Sequence, residues 1–75
     1  MKLQMLEISI YDRSNTTIRP QIEVKDFREA ILKTHFKEGS DVQDYEIDEI
    51  VSCFEEKDNM FIADGDEICT IYFKQ

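Results

Sequence analysis

Apolar and polar positions alternate near the start of the chain. Leu6, Ile8 and Ile10 interleave with Glu7, Ser9 and Tyr11, the period of two expected of a half-buried strand. The polar stretch "DRSNT" at 12–16 supplies a turn, and Ile18, Ile22 and Val24 then resume the period of two. Pro20 lies inside this second run and cannot donate to a sheet ladder, so the run belongs at an edge. The two runs read as an N-terminal hairpin.

The period then changes. In "DFREAILKTHFKEG" the residues Phe27, Ala30, Ile31 and Thr34 recur at helical spacing, and Asp26 with Glu29 fits a capping box. Lys33, His35 and Lys37 suit the C-terminal dipole, and Gly39 suits the position just past the helix. Residues 40–56 satisfy two templates. Ile47, Ile50, Val51 and Phe54 form a helical stripe that Ser40 and Gln43 would cap, while "IVSCF" is rich in β-formers. The preferred reading is a short helix near 41–48 followed by a strand near 50–55. "EICTIYF" closes the chain as a strand with faces Ile68, Thr70, Tyr72 and Cys69, Ile71, Phe73. Both faces are largely apolar, which places it centrally, with one face on a helix and the other free to be a contact patch.

These elements add up to one α+β domain spanning 1–75, near the lower size limit for folding on a single core. No repeat, linker or low-complexity segment divides it. The N-terminal stretch is broken by Gln4, Glu7 and Ser9 and does not resemble a signal peptide. No apolar run approaches a membrane span. A cytoplasmic protein is expected, with Cys53 and Cys69 reduced and partly buried.

Charge changes the picture. The net charge is −8, and it is concentrated in the second half. Residues 1–37 carry seven Lys/Arg and five Asp/Glu, whereas residues 38–75 carry two and twelve. Such a block repels nucleic acid and anionic membrane, and its natural partner is a basic protein surface.

The segment Asp64-Gly65-Asp66-Glu67-Ile68 feeding the last strand resembles the ending of the small sulfur carriers of the thiamin and molybdopterin pathways. The ubiquitin-like proteins of some secretion systems carry a similar "IADGD". The resemblance implies a ubiquitin-like β-grasp: a small mixed sheet packed on one main helix, with the second strand at an edge. The carriers end in two glycines that thread an adenylating site. This chain ends Tyr72-Phe73-Lys74-Gln75, so a carrier role is not expected. The turn also has a purely structural reading, in which Gly65 takes a positive φ and the flanking Asp side chains cap its amides.

Catalytic chemistry finds little support. A calcium loop built on Gly65 would need ligands at Met60, Ile62 and Ile71, which have none to offer. The single histidine, His35, reads as a helix-end residue, and one His with two distant Cys does not make a zinc site. No Gly-rich phosphate loop is present. A non-catalytic protein without metal or cofactor is expected.

What remains is contact. Asp41, Asp44, Glu46, Asp48, Glu49, Glu55, Glu56, Asp58, Asp64, Asp66 and Glu67 fall within 27 positions that contain one base, Lys57. Tyr45, Phe61 and Tyr72 would supply apolar anchors. One expectation is an inhibitor in the style of phage or plasmid proteins, docking on a basic surface of a nucleic-acid-binding enzyme and imitating phosphates. The other is a β-grasp adaptor or subunit that contacts its partner through an apolar sheet face, with acids only steering.

Overall fold

The N-terminal run forms strand β1 (Lys2–Ser9). It starts earlier than the alternation suggests because its apolar phase switches between Met5 and Leu6: Leu3 and Met5 face one side, Leu6 and Ile8 the other. Asp12 closes the following turn by accepting hydrogen bonds from the Ser14 amide at 3.1 Å and hydroxyl at 2.6 Å. The chain returns as β2 (Thr16–Ile18) and β3 (Ile22–Glu23), which pair with successive parts of β1. Pro20 lies in the gap between them, where no ladder donor is needed.

Helix α1 (Phe27–His35) begins at Asp26, whose carboxylate accepts the Glu29 amide at 2.9 Å. It stops at His35, before the expected Gly39, because Phe36 adopts an extended backbone and packs against the core. Gly39 reverses the chain in the loop beyond, with φ +83°. Helix α2 (Asp44–Val51) starts at Gln43, whose amide is accepted by the Glu46 carboxylate at 2.8 Å. The second helix therefore lies later than 41–48, and residues 50–51, expected as strand, are helical. The apolar stripe of Ile47, Ile50 and Val51 outweighs the β-propensity of "IVSCF", because as a helix it packs onto α1 and the sheet. The strand that follows is only β4 (Glu55–Lys57), followed by β5 (Met60–Asp64) and β6 (Ile68–Lys74).

In this computed structural model, which describes residues 1–75, the strands form one sheet in the order β2-β1-β6-β5-β4, with β3 also on β1. Every pairing is antiparallel, so the expected mixed sheet is not what forms. The central pair is β1 with β6, in register from Leu3 opposite Lys74 to Ser9 opposite Ile68.

Both helices cover one face. Leu3, Val24, Phe27, Ala30, Ile31, Ile47 and Tyr72 are the only buried residues, and they form the core. Phe27 organises it, stacked on Phe61 at 4.0 Å and edge-on to Phe54 and Tyr72. Aromatic pairs in this geometry add about 0.5–1.5 kcal/mol each beyond the area they bury.

Gly65 does not take the expected positive φ. Its amide donates to the Ile68 carbonyl at 3.0 Å, and a Cβ there would sit 2.9 Å from that same oxygen. Close approach of backbone to backbone, not handedness, demands glycine. Positive φ falls instead on Asp58, in the β4–β5 turn.

Candidate functional site

The register assigns each strand residue to a face. Opposite the helices stand Leu6 and Ile8 of β1, Cys69, Ile71 and Phe73 of β6, and Met60 and Ile62 of β5. All seven are half-buried, by one another and not by a second layer. Ile18 of β2 extends the patch and is 64% exposed. None of these side chains belongs to the core cluster. The face is continuous across four strands, and no part of the chain covers it.

The eleven acids do not gather on one surface. Glu55 shares the open face, while alternation turns Glu56 to the helix side, where it pairs with Lys74. Asp58 lies in the turn at one end of β5, and Asp64, Asp66 and Glu67 at the other, about 17 Å away for five residues of strand. Only Glu55 and Asp64 stand on the open face itself, Glu55 beside Lys57 and Asp64 near Arg13, whereas Glu67 lies with Glu7, Ser9 and Ile68 on the helix side. Asp41, Asp44, Glu46, Asp48 and Glu49 belong to the helical layer instead. There Arg28 pairs with both Asp44, at 3.6 Å, and Asp48, and Glu46 is used by the α2 cap.

Of the three expected anchors, only Tyr45 is on the surface, at 64% exposure. Tyr72 is completely buried and Phe61 stacks in the core. Both lie on the helix face of their strands, so neither can anchor a partner. Cys53, expected to be partly buried, is exposed, and Cys69 is half-buried; both are free thiols. Burial first, and then the nearby Asp64 carboxylate, raises the Cys69 thiol above its ordinary value.

A second feature lies on the helix side, where α1 ends and β2 and β3 part at Pro20. A cleft of about 470 Å³ opens there over β1 and β6. Glu7 and Arg19 face each other across it at 3.6 Å, beside Thr70, Thr34, His35 and Tyr72. Counting donors orders the hydrogen bonds at its back wall. The Thr34 hydroxyl donates to the Ala30 carbonyl at 2.7 Å, so it must accept from the Tyr72 hydroxyl, 2.9 Å away. Tyr72 then accepts from His35 Nε2–H, also at 2.9 Å. Burial lowers the His35 pKa, opposed by Glu7, and raises that of Tyr72. Both shifts favour the neutral forms that this relay uses.

Sequence reading anticipated one open face of β6 but not which one, and its anchor Tyr72 fell on the buried face; the neighbours on β1 and β5 depend on register. The cleft was not visible either, because Glu7, Arg19, His35 and Thr70 come from four separate elements or loops. No three His, Cys, Asp or Glu side chains are placed to hold a metal ion, and no helix is long and apolar enough to cross a membrane. The chain matches no protein-family model, no curated protein and no solved structure.

Proposed function

We propose that this chain is a non-catalytic protein-binding protein that contacts its partner through the open face of its sheet. The partner presents an apolar patch bordered by Lys and Arg. One observation carries the reading: Leu6, Ile8, Ile62, Ile71 and Phe73 form a second apolar layer with nothing upon it. Isolated apolar side chains on a surface need no explanation, but a contiguous patch of this kind marks an interaction site.

Glu55 and Asp64 put carboxylates on the patch, and the net charge of −8 speeds encounter with a basic surface and rejects acidic competitors. Affinity comes from the apolar centre. Imitation of nucleic-acid phosphates by α2 is the less favoured form, since Arg28 already pairs with two of its carboxylates.

The test uses two variants on the protein captured from host lysate, with binding then measured in purified form. Ile71→Lys should weaken binding at least a hundredfold at any salt concentration. Reversal of Glu55 and Asp64 to Lys should slow association several-fold at low salt and have little effect at about 0.5 M salt. A folded Ile71→Lys that binds like the parent chain would sink the proposal.

A further inference from the structure

The cleft between the end of α1 and the β1–β2 edge has the features of a small-molecule site, separate from the open face. Its volume of about 470 Å³ lies within the range of ligand pockets, about 300–1,000 Å³. The central strand pair gives it a firm floor. Met5, Pro20 and Ile22 line it with apolar surface, and its polar groups converge on a single region.

Those polar groups differ in what they have left to offer. The Tyr72 and Thr34 hydroxyls are committed to each other, to Ala30 and to His35. Glu7 and Arg19 are not. Their 3.6 Å separation is longer than a hydrogen bond, so the carboxylate keeps acceptor capacity and the guanidinium keeps donors. Thr70 stands directly opposite Glu7 in the register and adds a hydroxyl. A ligand must therefore give a hydrogen to Glu7 and receive one from Arg19. An anion would face the Glu7 carboxylate and the field of a chain carrying −8. A cation would face Arg19. A neutral group with a carbonyl beside an N–H meets both demands without leaving either ion unpaired.

We propose that this cleft binds a small neutral molecule bearing a primary amide or lactam edge on a flat apolar body. The carbonyl accepts from Arg19, the N–H donates to Glu7, and the body lies on Met5, Pro20 and Ile22.

Three probes of equal size separate the possibilities: benzamide, benzoate and benzylamine, each titrated into the isotopically labelled chain and followed by NMR. His35 is the only histidine, so its ring resonances give an unambiguous reporter. Benzamide should produce saturating shifts at Met5, Glu7, Arg19, Thr70 and the His35 ring, with half-saturation on the order of 1 mM, as befits a fragment of this size. Benzoate and benzylamine should bind at least tenfold more weakly, and Glu7→Ala and Arg19→Ala should each weaken benzamide at least tenfold. Arg19 is largely exposed, so that variant decides the matter if Glu7→Ala does not fold. Equal binding of the three probes, preference for a charged one, shifts confined to the open sheet face, or benzamide binding unchanged in Arg19→Ala would overturn the proposal.

Discussion

The Tyr72 hydroxyl accepts from His35 Nε2–H across 2.9 Å, tying the centre of the sheet to the last residue of α1. The same oxygen donates to Thr34 one residue earlier. One phenol thus fixes where the helix ends relative to β6. Tyr72→Phe keeps the ring packing with Phe27 but removes both bonds. Unfolding in urea should show a loss of about 1–2 kcal/mol, or roughly 6–13 °C in Tm for a chain of this size. A loss below about 0.3 kcal/mol would mean that water replaces the hydroxyl freely.

His35 also sets a pH dependence. Burial lowers its folded pKa beneath the ordinary 6.5, so below that pH the unfolded chain takes up a proton more readily than the folded one. Its contribution is complete above 6.5 and is lost as pH falls below it. Tm should drop between about pH 7.5 and about pH 5.5, and His35→Gln should flatten that part of the curve. An unchanged slope in the variant would assign the effect to other groups.

The two glycines make different demands. Gly39 has φ +83° with nothing within 4 Å of its missing Cβ, whereas Gly65 has an ordinary φ and the Ile68 carbonyl 2.9 Å from that position. Gly39→Asn should cost only a few tenths of a kcal/mol, because Asn visits the left-handed region readily. Gly65→Asn should cost more, on the order of 1–3 kcal/mol, since backbone must move. Equal losses in thermal unfolding would contradict this division.

Arg28 holds two carboxylates of α2 from a partly exposed position. Arg28→Ala should cost about 0.5–1 kcal/mol at low ionic strength and almost nothing at about 1 M salt. Denaturant titrations at the two salt concentrations measure the difference directly.

Local chemistry was readable in the sequence. Asp26 caps α1, Pro20 interrupts an edge, and the two faces of "EICTIYF" mark a central strand, each because the responsible side chain acts within a few residues of itself. Relations between distant segments were not readable. Strand direction could not be inferred from the order of elements, so the sheet is antiparallel throughout where a mixed one was expected. Tyr72 and Phe61 carry no local mark that distinguishes core from surface. Only the pairing of Tyr72 with Met5, and of Phe61 with Tyr72, sets the side to which each points. The second helix ran on through Ile50 and Val51, where local β-propensity argued for strand, because its apolar stripe had a surface to meet.

The pairing of β1 with β6 bears on how the molecule is made. Until β6 pairs, the sheet is in two parts, β1 with β2 and β3, and β4 with β5, and no strand pairing joins them. The core cannot close on Tyr72 before then. The rate of folding is therefore limited by the search between β1 and β6, at opposite extremes of these 75 residues. Those extremes finish side by side, with the Gln75 amide bonded to the Lys2 carbonyl at 2.9 Å. A circular permutant that links them and opens between α1 and α2 would turn the slowest meeting in the molecule into a local hairpin.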